Sequence, residues 1–183
     1  MKRSRGPHKH HHDPASEEQI GGWFAGRAPD DWFVATPSVD TDRDEILVVG
    51  SIAEPSLDAD TSDEARAAAI GARIAGFRED TRAQRMRIAD EAQHRFGRAV
   101  SWGVRCADQQ VLFTTLSVPA MTRLRLSERQ VLDTLVDAGV ARSRSHALAW
   151  CVRLVAERQD DWLADLREAL QKVEAVRADG PHD

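Results

Sequence analysis

The 183-residue chain contains no tyrosine, three lysines, two cysteines and ten tryptophan and phenylalanine residues in all. It also lacks any apolar run near the roughly 20 residues needed to cross a bilayer. Each scarcity excludes something. Cys106 and Cys151 are far apart, and each sits in an apolar pattern, which excludes a disulfide framework and a Cys-rich zinc site and predicts two buried free thiols. The basic start Met1–Arg5 leads into histidines and no apolar stretch, so neither a membrane span nor a secretory leader is expected, and the expected location is cytoplasmic. The motifs with a strong mechanical signature are missing too: no phosphate loop, dinucleotide glycine fingerprint, His-Glu-x-x-His, Gly-x-Ser-x-Gly or Cys-x-x-Cys. The expectation is a non-enzyme with no cofactor and no metal, since His94 and His146 have no acid or nucleophile at a telling spacing.

Lysine scarcity has its counterpart in 22 arginines, which the coding bias of a GC-rich genome explains as readily as nucleic-acid binding. The net charge of -5 argues against holding a polyanion, but its distribution does not. Between Asp13 and Glu64 there are 14 acids and 2 basic residues, whereas Met121 to Arg158 carries 7 arginines against 4 acids. An acidic front of this kind either solvates an arm or shields the basic part when no polyanion is present.

At 42% hydrophobic the chain can bury a core, and its pattern divides it into four stretches. Residues 1–20 are polar, with a basic Lys2–Arg5 and clustered His8, His10, His11 and His12, and read as a disordered tail. Residues 21–118 read as strand, strand, helix, strand, strand. The strands are Trp32–Ala35 with Glu45–Ile52, and Ala99–Cys106 with Gln110–Val118; one long helix from Ser62 to about Phe96 lies between them. Asp40, Asp42 and Asp44 imitate the start of a calcium loop, but Glu45 and Ser51 stand where that loop needs Gly and Glu. Arg73, Arg78, Arg82, Arg85 and Arg87 share one face of the long helix and read as a solvated, salt-bridged surface. Trp23-Phe24 and Trp32-Phe33 are anchors, either docked on the protein's own body or offered to a protein partner.

Residues 119–177 carry the most specific chemistry, and residues 178–183 read as a second disordered tail. Met121–Leu126 alternates, which places Met121, Arg123 and Arg125 on one face of a ribbon and Thr122, Leu124 and Leu126 on the other. Ser127 offers a cap for a helix over 128–138 with Val131, Leu132, Leu135 and Val136 as its stripe, and Gly139 stops it. The turn Arg142–Ser145 precedes a second helix, His146–Glu157. A last helix from Asp160 to Arg177 has Trp162, Leu163, Leu166, Leu170, Val173 and Val176 in one stripe, to be packed on the helical pair or on the same helix of a second chain. The fold class expected is α+β: a small antiparallel sheet on a long helix, then a helical region and a C-terminal helix.

Leu124–Ser127, Leu135–Gly139 and Ala141–Leu148, in that order, resemble the ribbon-helix-helix family of DNA-binding proteins over about 37 residues. The resemblance implies a homodimer whose paired ribbon enters the major groove of DNA, as in a transcriptional regulator. It implies base contacts from Met121, Arg123 and Arg125, because arginine forks suit the O6 and N7 of guanine. It also implies phosphate contacts from Arg142, Ser143, Arg144 and Ser145 at the start of the second helix. The alternative is an adaptor that binds another protein through Trp23, Phe24, Trp32 and Phe33, with the helical hairpin as scaffold. Pairing of residues 121–126 with residues 111–118 of the same chain would favour the adaptor, and a free ribbon edge would favour DNA.

Overall fold

The computed structural model describes residues 15–178. Residues 1–14 and 179–183, with the clustered histidines and Lys2–Arg5, lie outside the described residues, whereas residues 17–20, expected in the disordered tail, are helical. The chain divides into two compact units at Pro119 and Ala120.

The first unit starts with helix α1, Glu17–Arg27, where the expected tail gives way to ordered structure. Ser16 Oγ accepts the Gln19 N–H while the Gln19 side chain accepts the Ser16 N–H, a reciprocal cap that fixes this end. Ile20 and Phe24, one turn apart, are completely buried. Each contributes about 1.5–3 kcal/mol by leaving water, enough to offset the three glycines of the helix.

Strands β1 (Ser38–Thr41) and β2 (Glu45–Ser51) form the first hairpin, so its leading strand lies beyond Pro37 and not at Trp32–Ala35 as expected. Asp42 decides where the turn falls. Its Oδ1 accepts the N–H of Asp44 and of Glu45, both at 2.8 Å, and those two bonds hold its carboxyl below the usual carboxylate range. Trp32 instead packs as a side chain, while Val34 N–H donates to Ser51 O at 2.8 Å.

The expected long helix is two: α2, Asp63–Asp80, and α3, Arg82–Phe96, broken at Thr81. Thr81 Oγ1 donates to Phe77 O at 2.6 Å, a back-bond that bends helices. Arg85 fills the break, giving Nε–H to Thr81 Oγ1 at 2.9 Å and Nη2–H to Arg78 O at 2.7 Å. Its guanidinium carbon lies 4.6 Å from the centre of the Phe113 ring. Arg85 is therefore buried, a correction to the solvated arginine face expected there. Gly97, at φ 70, ends α3 in the left-handed region.

Strands β3 (Ala99–Cys106) and β4 (Gln109–Leu112) complete a sheet of order β1-β2-β3-β4. The fold class is α+β. The two outer pairs are antiparallel but β2 and β3 run parallel, so the sheet is mixed and not antiparallel throughout. The helical crossover between β2 and β3 carries the chain back to the starting edge, which a hairpin turn cannot do. Ile46 and Val48 of β2, with Trp102 and Val104 of β3, belong to one core with Ile70, Ile74, Ile88 and Ala92. Cys106 is buried in the same core, and burial pushes its thiol pKa up.

The second unit holds α4 (Leu126–Asp137), α5 (Arg144–Arg158) and α6 (Asp160–Ala178). Its core is small: Leu132, Ala141 and Ala147 are buried, with Leu124, Leu135, Val136, Leu148 and Cys151 packed around them. No helix of the described residues is long and apolar enough to cross a membrane.

Candidate nucleic-acid interface

Residues 120–125 are neither strand nor helix, and they pair with no strand among the described residues. The strip is extended at its end, where Arg125 has φ -77 and ψ 173. The alternation expected here holds only at Leu124, since Thr122, expected to face inward with it, is exposed. Leu124 packs against the small core, while Met121 is wholly exposed and Arg123 and Arg125 project into solvent. Leu126, expected on the buried face, is instead the first residue of α4 and is exposed.

The helix starts there because Glu128 turns back to accept the N–H of Arg125, so Arg125 and not Ser127 is the cap. Arg129, one turn in, donates from Nη1 to Leu124 O at 2.6 Å and so ties the strip to the helix. At the far end Gly139, at φ 74, lets its N–H reach Val136 O and lets the Val140 N–H reach Leu135 O, both at 3.0 Å. Those two bonds satisfy carbonyls that the end of α4 would otherwise strand, and they reverse the chain within a few residues.

α5 begins two residues earlier than the periodicity suggests. Ser143 Oγ accepts the His146 N–H at 3.2 Å, and His146 Nδ1 accepts the Arg142 N–H at 3.3 Å. Ser143 is thus engaged as the cap. Arg144 is also engaged: Nε and Nη2 meet the two oxygens of Asp133 at 2.6 and 2.7 Å. That contact holds the Asp133 carboxyl below its ordinary range and raises the guanidinium. Of the four expected phosphate ligands, Arg142 and Ser145 keep unengaged side chains among the described residues. A hollow of about 290 Å³ separates the strip from the start of α5, lined by Met121, Leu124, Arg129, Leu132, Ser145 and Leu148.

Periodicity missed the Asp133–Arg144 clamp and the Arg129 tether, because each depends on how the turn closes. The one available signal was the opposite charge of Asp133 and Arg144 on either side of a short turn.

The residues expected to recruit a protein partner are placed differently. Phe24 and Trp32 are buried in the first unit, and Trp23 and Phe33 are half-buried beside them. Trp23 meets Phe24 and Phe96 edge-on, Phe24 meets Trp102, and Trp32 meets Phe77 and Trp102. Buried rings cannot serve as free anchors, which corrects the adaptor expectation for Phe24 and Trp32. Among the described residues no group of three or more His, Cys, Asp or Glu could hold a metal ion.

The fold and the strip together define a two-unit α+β protein, with a mixed sheet-and-helix unit ahead of a helical unit that carries an unpaired basic segment. Residues 18–112 match the family described as "Rv1265-like protein, N-terminal domain", and residues 125–177 match the "Mb1296 C-terminal domain". The chain belongs to this Rv1265-like family. It is 56% identical over 159 residues to the protein printed as "Uncharacterized protein Mb1296" of Mycobacterium bovis, covering 87% of this chain and 69% of that one. The same figures hold for "Uncharacterized protein Rv1265" of Mycobacterium tuberculosis. No solved structure matches the chain.

Proposed function

We propose that this protein is a dimeric DNA-binding regulator of the ribbon-helix-helix kind, working by binding and not by catalysis. The observation that carries the reading is the strip at 120–125: extended at its end, unpaired, with Leu124 turned inward and Arg123 and Arg125 turned outward. Leu124 O and the Arg125 N–H and C=O are engaged by Arg129 and Glu128, and the backbone before them, which has no strand partner, is a template for the same run of another chain. Two copies side by side present four guanidinium groups on one face of a ribbon narrow enough for the major groove. The hollow beside Leu124 and Leu148 leaves room for side chains of the second copy. Three buried residues are a small core for a unit of this length, and pairing enlarges it. Met121, Arg123 and Arg125 are the base readers of this proposal, and Arg142 and Ser145, with the backbone at the start of α5, face phosphate. The excess of arginine over acid between Met121 and Arg158 supplies the field that draws the strip to a polyanion.

The test is a mobility shift with genomic fragments at two salt concentrations, using wild type and the Arg123→Ala/Arg125→Ala double variant. Each lost guanine contact removes about 1–3 kcal/mol of discrimination, so the variant retains non-specific binding and loses preference for its best fragment. Unchanged selectivity in the double variant rules out the strip as the reading element.

A further inference from the structure

α6 is a 19-residue helix whose apolar side is open: Trp162, Leu166, Leu170, Val173 and Val176 are all between 42% and 72% exposed. Five large apolar side chains on one stripe are more than a solvated helix presents by chance, and their arrangement says what covers them. Counted from Ala169 they fall at offsets of -7, -3, +1, +4 and +7, a set close to its own mirror image. A stripe of that symmetry fits a second copy of itself running the opposite way, with Trp162 against Val176 and Leu166 against Val173. Each large side chain then meets a smaller one, and Leu170 sits beside the dyad.

Charge selects the same direction. Asp160, Asp161 and Asp165 occupy the first third of the helix; the last third carries Lys172 and Arg177 with Glu174 between them, and Lys172 Nζ also donates to Glu168 Oε1 of its own helix at 2.6 Å. A parallel pair sets acid on acid and base on base, whereas an antiparallel pair sets Asp165 near Lys172 of the other copy and the acidic end near Arg177. The same polarity complements the dipole within each helix.

We infer that α6 is a self-association surface that takes α6 of a second copy in antiparallel orientation. The contact is isologous, as expected of a two-fold dimer, and it does not depend on DNA binding.

The experiment is sedimentation of the full chain across a dilution series, with cysteine cross-linking to read direction. Leu166→Asp/Leu170→Asp is expected to raise the dimer dissociation constant at least tenfold, with the far-ultraviolet circular dichroism spectrum kept. Asp165→Lys and Lys172→Asp each weaken the dimer several-fold, and the two together restore it, a rescue that misfolding cannot produce. Ala169→Cys links to itself under mild oxidation, and Val176→Cys links to Trp162→Cys but not to itself, with wild type as the control for Cys106 and Cys151. A dimer unaffected by Leu166→Asp/Leu170→Asp, or self-linking by Val176→Cys, overturns the inference. The Arg123→Ala/Arg125→Ala variant, which tests the DNA reading, sediments as wild type in this assay, so the two readings fail separately.

Discussion

Arg144 and Asp133 clasp each other across the α4–α5 turn by two parallel hydrogen bonds, Nε to Oδ1 at 2.6 Å and Nη2 to Oδ2 at 2.7 Å. The fork closes the helical hairpin, and it also withholds one guanidinium from the surface proposed to face phosphate. Asp133→Asn removes the acceptor charge and releases Arg144. Under the DNA reading this variant binds DNA more tightly at low salt and gains a steeper salt slope, measured by titration at two or more salt concentrations. The same substitution has a signature in pH. The folded carboxyl lies below its unfolded value, so its contribution is present above the unfolded pKa and fades as pH falls through the depressed folded one. Thermal melts of wild type and Asp133→Asn therefore differ at neutral pH and converge in acid.

Arg85 is buried with neutral partners only, a carbonyl at the end of α2 and the Thr81 hydroxyl, and its face rests on Phe113. A cation there completes the helix end it serves. Truncation leaves the Arg78 carbonyl and the Thr81 hydroxyl short of a partner, at a cost of about 2–3 kcal/mol. Arg85→Ala is expected to lower the unfolding free energy measured in urea by that amount, while the exposed Arg87→Ala stays within about 0.5 kcal/mol of wild type. Arg85→Lys recovers part of the loss, since an ammonium can reach one acceptor but cannot fork to two.

How far the sequence could be read follows from which physical signals are local. The α+β class, the hairpin of α4 and α5 and the stripe of α6 were legible because periodicity and a positive-φ glycine mark them. The ribbon expected at 121–126 was only partly legible: Leu124 turns inward, but Thr122 and Leu126 are exposed and the segment forms no strand, because Leu126 opens α4 and the run before it has no partner strand to enforce the pleat. Helix α1 was not, because three glycines mask a helix that exists through tertiary burial of Ile20 and Phe24. The direction of β3 against β2 was hidden, since period-two alternation is identical in parallel and antiparallel strands. The break at Thr81 depends on a side chain that bonds backwards and an arginine that fills the gap, and apolar spacing runs through both. The clamp between Asp133 and Arg144 exists only once the turn has closed.

Gly139 occupies φ 74 with open space where a side chain would begin, so a substitution there meets strain and no clash. The left-handed conformation costs a residue with a side chain roughly 1–2 kcal/mol. Gly139→Ala is expected to destabilise by about that amount in chemical denaturation. Gly139→Asn costs less, because asparagine enters that region more readily.

Gly50 faces the opposite constraint. It is the penultimate residue of β2, and a Cβ built there falls 2.1 Å from Cδ1 and Cε1 of Phe33. The ring lies directly on the strand backbone, held there by the hydrogen bond from Val34 N–H to Ser51 O and by contacts with Trp32 and Phe77. Gly50→Ala must therefore displace the ring, and overpacking of this kind costs about 1–3 kcal/mol. Removing the ring removes the obstacle: in the Phe33→Ala background the same glycine substitution costs much less. A double-mutant cycle by urea denaturation isolates that coupling. Additive effects would mean that the two residues do not touch, and the close approach of the segment after α1 to the sheet would be wrong.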